Sequence, residues 1–323
     1  MAKKIILLGM LAIVLTLAFS GCTTVQKATA ETITYNQATL QNLVRITDDG
    51  LSKDWLSVSP DGSMLLYCES SVPLKRNSIS NEHIKSYNIM LLKDATKAAK
   101  TQLIMDKSIT PAWFSKDVFV YSVLEGGIPK LIKSNIAGGG KVYITRNAVG
   151  LYDSRPSVRG NIIICDTEIN KKKQIVRMTE NGTDVTILGE GENPFWHPTN
   201  PQKFLFTKDG SIFEMDLNTY QPTKLFGDAK FRSVSPRYSP DGKYILFQKE
   251  CLVRITDSKS GKTSETTRWH VFIIKVDGTD LVQLTDGNVD VFSPVWGNKG
   301  NTIFFVSNAN DRTEIWSAQV SVN

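Results

Sequence analysis

With 323 residues, 41% of them hydrophobic and 22% charged, the chain can bury a substantial core, and 12 prolines and 22 glycines exclude wholesale disorder. The formal charge of +6 falls to +4 (36 basic against 32 acidic residues) once Lys3 and Lys4 are set aside. That surface is too mildly basic for a nucleic-acid footprint, so no nucleic-acid partner is expected.

Lys3 and Lys4 precede an almost wholly apolar run, Ile5 to Phe19, and then Ser20-Gly21-Cys22. The pattern is a secretory signal, too short for a membrane span. The small pair ending at Cys resembles a bacterial lipobox, with Phe19 where that motif usually has Leu. Residues 1–21 are therefore expected to be a lipoprotein signal peptide and Cys22 the lipidated N-terminus, held on a membrane by its acyl chains. Thr23 lacks the Asp that marks inner-membrane retention in some bacteria. By family analogy this favours the outer membrane, facing the periplasm or the cell surface. Residues 22–42, rich in Thr, Ala and Gln, read as the lipidated Cys and a tether.

From residue 43 one grammar recurs. Its clearest copy is Pro236-Arg-Tyr-Ser-Pro-Asp-Gly242 followed by Tyr244-Ile-Leu-Phe247. Ser-Pro-Asp-Gly makes a tight turn, because Pro fixes φ, Asp bonds its own backbone and Gly takes positive φ. The apolar run after it suits a packed strand. Equivalent stretches begin at Leu56, Pro111, Pro156, Pro194 and Pro294. The spacings of 55, 45, 38, 42 and 58 residues fit four-stranded propeller blades. Each copy is followed by a third strand-like run: Asn88–Leu92, Lys130–Lys133, Gln174–Met178, Ser211–Met215, Val271–Lys275 and Thr313–Ser317. A fourth run exists for five copies, and the sixth ends too soon to have one. The missing strand is at the start of the chain: Leu43-Val-Arg-Ile-Thr-Asp48 echoes Leu281-Val-Gln-Leu-Thr-Asp286. The expectation is an all-β, six-bladed propeller over 43–323, closed by strand 43–47 pairing into the last blade, which removes an exposed sheet edge.

These Pro-x-aromatic-Ser-Pro-Asp-Gly repeats resemble the TolB-type, WD-like six-bladed propeller family, and related repeats occur in the propellers of prolyl oligopeptidase-type peptidases. The family's type member carries an additional N-terminal α/β domain, for which residues 22–43 leave no room. A propeller-only lipoprotein is therefore expected. The resemblance implies partners of the peptidoglycan-associated lipoprotein kind.

The chemistry the residues offer is sparse. Gly-x-Ser-x-Gly is missing, which argues against a peptidase. Gly138-Gly-Gly-Lys141 lacks phosphate-loop spacing and reads as a turn. His83, His197 and His270 are dispersed, and Asp61-Gly62 and Asp241-Gly242 lack the density of a calcium loop, so no metal or cofactor is expected. Cys68, Cys165 and Cys251 fall in alternate blades, too far apart to bridge, and are expected as free, mostly buried thiols. Trp113, Trp196, Tyr238 and Trp296 share one repeat position, which favours packing between blades over a binding ring.

The excess length lies in two connections, Ser70–Tyr87 and Leu252–Trp269, each net +2. They are expected as basic walls beside one channel mouth. The binding residues proposed there are Arg76, Lys85, Arg254 and Arg268 on the walls, with Trp55, Arg155, Glu192, Arg237 and Phe292 around the mouth. Loops on a rigid scaffold carry binding. The leading reading is a non-enzymatic envelope lipoprotein that binds an envelope protein or cell-wall component. The alternatives are an exported propeller enzyme acting on glycans or peptides, with Glu192 and Asp54 as its candidate carboxylates, and a structural assembly factor.

Overall fold

The computed structural model describes residues 34–36, 39–72, 86–95, 101–126, 128–145, 156–256, 261–297, 299–308 and 312–321. Cys22, Arg76, Lys85 and Arg155 lie outside them. The described residues form a six-bladed, all-β propeller in which consecutive strands of each blade pair antiparallel.

Blade one is Ser52–Val58, Leu65–Ser70, Tyr87–Leu92 and Thr101–Met105. Blade six is Val291–Trp296, Thr302–Ser307 and Glu314–Val320, completed by Leu40–Arg45 from the N-terminal side. The closing strand pairs Val44 with Ser317 and Arg45 with Trp316, as its echo of blade five implies. It begins at Leu40, earlier than expected, because Leu40 fills a pocket between blades five and six and is only 1% exposed. Thr34–Tyr35, read from sequence as tether, adds a short strand against Thr285–Asp286 on blade five.

First strands meet around the centre, each touching the first strands of both neighbouring blades. The core is divided accordingly into six apolar clusters, one at each blade interface. Trp113, Trp196, Tyr238 and Trp296 are buried, each in a different cluster, which confirms their packing role. Cys68 and Cys165 are buried in separate interfaces and Cys251 is half-buried, all as free thiols.

A device that the sequence does not advertise recurs in the first strands. In five blades the register slips just before or at the repeat's anchor residue, between Asp54 and Ser57, Ile109 and Ala112, Glu192 and Phe195, Val234 and Arg237, and Phe292 and Val295. Each slip holds one non-glycine residue at positive φ: Trp55, Thr110, Asn193, Ser235 and Ser293, all between 49° and 57°. These are β-bulges, and the proline that follows in four of them needs no ladder partner. Side chains capture the amides that the bulges release. Asp54 Oδ1 accepts the Trp55 amide (2.7 Å), Asp166 Oδ2 the Asn193 amide (2.9 Å) and Gln248 Oε1 the Ser293 amide (2.8 Å). Asp166 and Gln248 occupy one repeat position, just after the second strand's apolar run. Cys68 stands there in blade one and faces the Thr110 amide.

Candidate functional site

Beyond the bulges, the far halves of the first strands line a central cavity of about 480 Å³. That volume lies within the roughly 300–1,000 Å³ usual for ligand pockets. Its wall combines Trp55, Trp113, Phe195, Trp196, Tyr238 and Trp296 with prolines of the bulges and turns. Ser59, Pro60, Pro198 and Pro240 belong to the turns joining first to second strands, so the cavity belongs to the turn face of the ring.

The wall is fixed by bonds between blades. Trp113 Nε1 donates to the Ser57 carbonyl (2.9 Å), and Trp296 Nε1 to the Arg237 carbonyl (3.3 Å). Tyr238 donates its hydroxyl to Glu214 Oε2 at 2.5 Å, and burial pushes that phenol far above its usual pKa. Arg159 spans blades three and four, donating to the carbonyls of His197 (2.6 Å), Pro198 (2.8 Å) and Thr199 (3.1 Å). His197 replaces the turn serine and bonds within the turn instead of to the second strand. Its Nδ1 accepts the amides of Thr199 (3.2 Å) and Asn200 (3.0 Å), and its ring lies 4.5 Å from that of Tyr238. Burial lowers its pKa, in keeping with a neutral ring that accepts at Nδ1. Arg237 is held differently from Arg159. Its guanidinium lies 4.7 Å over the Phe195 ring, its Nη1 donates to the Pro236 carbonyl at 3.3 Å, and the residue is half-buried in the cavity wall. A guanidinium stacked on an aromatic face presents a planar fork of donors that suits an anionic or carbonyl-bearing ligand.

The described residues that the sequence gathered at one mouth are scattered over four places. Trp55 and Arg237 line the cavity. Arg254 and Arg268 belong to the opposite end of the blades, where second and third strands connect. There the blade-five insertion is no loop. The second strand continues unbroken to Thr256 and the third begins at Thr263, so Tyr244–Thr256 and Thr263–Lys275 run paired for their whole length. Val253, Ile255, Thr263, Thr266 and Thr267 suit extended backbone and carry the pairing outward as a two-stranded ribbon. Arg254 Nε donates to Glu265 Oε1 (2.9 Å), and Arg268 to the carbonyls of Asn288 (3.1 Å) and Thr267 (3.2 Å). Glu192 opens the first strand of blade four opposite Thr207, outside the cavity wall. Phe292 is no mouth residue: it is 2% exposed and packed in the interface of blades six and one. Asp54 is buried and committed to the Trp55 amide and the Ser293 hydroxyl.

A second charged cluster escaped sequence reading. Lys53, whose side chain is fully buried, pairs with Asp49, Glu69 and Glu314 where blade one meets blade six. Thr47 Oγ1 and the Gly50 amide also donate to Glu314 (2.5 and 3.0 Å). Burial raises the Glu69 carboxyl while Lys53 opposes it. This network fastens the segment after the closing strand to the last blade. No single residue type announces it, because its members come from both ends of the chain.

Comparison with known proteins finds the same fold at low identity. No protein-family model matches the chain. The uncharacterized protein Atu1656 of Agrobacterium fabrum is 26% identical over 142 residues, 42% of this chain and 43% of that protein, so the match spans less than half of the relative's length. Among solved structures, TolB from Acinetobacter baumannii aligns with a TM-score of 0.57 and 16% identity over 85% of this chain and 65% of that one. A provisionally named TolB of Agrobacterium tumefaciens gives 0.59 and 13% over 90% and 99%. An oligogalacturonate lyase in complex with manganese gives 0.53 and 11% over 90% and 96%. What the chain shares with all three structures is the propeller fold.

Proposed function

We propose that this chain is a non-enzymatic envelope lipoprotein, anchored through Cys22, whose propeller binds an envelope protein or cell-wall component at the central cavity. The observation that carries the reading is the cavity wall, where prolines and the half-buried Phe195 ring surround the Arg237 guanidinium. Such a surface grips an extended peptide segment or a sugar ring that bears an acidic group. The likeness to TolB structures supports a binding propeller. The lyase likeness makes turnover of an acidic oligosaccharide the outcome to test against.

The test is photo-crosslinking in intact cells from a probe placed at Val158 in the cavity wall. One envelope partner is expected, and Arg237→Glu should weaken its binding to the purified protein by at least about thirtyfold, the usual scale for an arginine at the centre of an interface. Capture indifferent to Arg237→Glu, or release of unsaturated products from acidic oligosaccharides, would overturn the proposal.

A further inference from the structure

We infer that the central cavity takes its partner by a chain end, a free carboxyl terminus with an apolar last residue, whose carboxylate sits on the Arg237 guanidinium. This rests on the reading of the cavity as the binding site and names the group recognised there.

The cavity is closed on one side. In the five blades whose first strands slip register, no residue ahead of the bulge lines it, and the wall starts at Trp55, Thr110, Phe195, Ser235 and Ser293. The bulge residues themselves are packed, with Trp55 6%, Thr110 3%, Asn193 7%, Ser235 3% and Ser293 7% exposed. Bonds between blades cross at that level, from the Ser293 hydroxyl to Asp54 and from the Asn193 amide to Asp166 (2.9 Å). The opening lies among the turns, where Pro60, Pro198 and Pro240 stand. A pocket of this shape admits the end of a chain and gives an extended chain no way through.

Its interior is lopsided. The residue after the repeat's anchor lines the cavity in every blade: Ser57, Ala112, Ser157, Phe195, Arg237 and Val295. Blades one to three place small side chains there, and blades four to six place large ones. Blade five stands opposite blade two in a ring of six, so Arg237 confronts the space that Ala112 leaves. A ligand seated on the small side meets the guanidinium across the cavity.

The chemistry favours one carboxylate on an otherwise apolar body. Among the described residues the wall holds two arginines and no Asp, Glu, Asn or Gln. Arg159 is committed to the three carbonyls of 197–199. Arg237, stacked on Phe195, offers the planar fork that a carboxylate meets with paired bonds. Four wall hydroxyls are engaged within the protein: Ser59 with Asp61, Thr110 with Ser122, Ser157 with the Trp196 amide and Ser293 with Asp54. A sugar would bury hydroxyls against a wall that has few partners for them, at a cost for each one left unpaired. An apolar side chain has no such need.

The probes are two pools of random acetylated pentapeptides, one ending in a free carboxylate and one amidated, selected on the purified full-length chain and read by mass spectrometry. The free-acid pool should be retained at least about tenfold over the amidated pool, the scale of one charged hydrogen bond, with Val, Leu and Phe enriched at the last position. Arg237→Gln should erase that preference, and Ala112→Phe should cut retention of the free-acid pool by filling the space opposite. Equal retention of the two pools, or retention that follows an internal Asp or Glu, overturns the inference. So does displacement of the selected peptides by decanoate or galacturonate at lower concentration than the peptides themselves require. The photo-crosslink from Val158 separates this inference from the reading beneath it. The crosslinked peptide should come from the partner's last residues. A crosslink to an internal segment overturns this inference alone, whereas capture indifferent to Arg237→Glu overturns the binding reading and takes this inference with it.

Discussion

Asp241 shows how much one residue of the repeat accomplishes. Its carboxylate accepts the Ser239 hydroxyl (2.6 Å) and the Lys243 amide (3.1 Å), while Ser239 Oγ accepts the Tyr244 amide (2.9 Å). Burial would raise its pKa, but these donors hold it below the usual carboxylate range. Asp241→Ala should therefore cost about 1–2 kcal/mol in urea denaturation at pH 7. Because the folded pKa is depressed, that stabilisation is present above the unfolded value near 4 and is lost as pH falls through the lower folded value. The histidines act at higher pH. Burial lowers the pKa of both His197 and His270, so the unfolded chain takes up protons first, below about pH 6.5. The urea midpoint should fall between pH 7.5 and 5.5, and fall less in His197→Asn, whose amide oxygen can still accept the turn amides. Pro-Asp-Gly made such turns legible in the sequence. The bulge residues were not legible: Trp55 takes the same backbone as the small polar Thr110, Asn193, Ser235 and Ser293, types common throughout the chain. The ring imposes their backbone, and no local propensity reveals it.

Among the elements, the closing strand was legible and the ribbon only half so. The match of residues 43–48 to 281–286 identified the strand because both do the same job, completing the outer edge of a blade. What the echo could not show was the strand's start, which depends on Leu40 reaching the core from an otherwise polar stretch. Leu40→Ala should cost about 2–4 kcal/mol, read as a lowered urea midpoint, because the cavity it leaves is walled by two blades that cannot both collapse. Thr34–Tyr35 escaped notice because two residues carry no period and pair with a partner equally short. The excess length of blade five was plain from repeat spacing, but its form followed from an unbroken register that spacing alone does not specify.

At the scale of the molecule, the ring separates two faces that sequence reasoning had merged. Residues near one another in the repeat, such as Arg237 and Arg254, are carried to opposite ends by the run of a single strand pair. One face has the cavity and the other has the ribbon, so binding at one leaves the other open. The ring also joins its own ends, and this has a consequence in time. Val44 and Ser317 pair across 273 residues, a closure whose entropic cost is on the order of 5 kcal/mol. A chain made N-terminus first must leave Leu40–Arg45 without its partner strand until Glu314–Val320 has been made. Until then the growing arc of blades has two raw edges, and the arrival of Glu314–Val320 is what seals it.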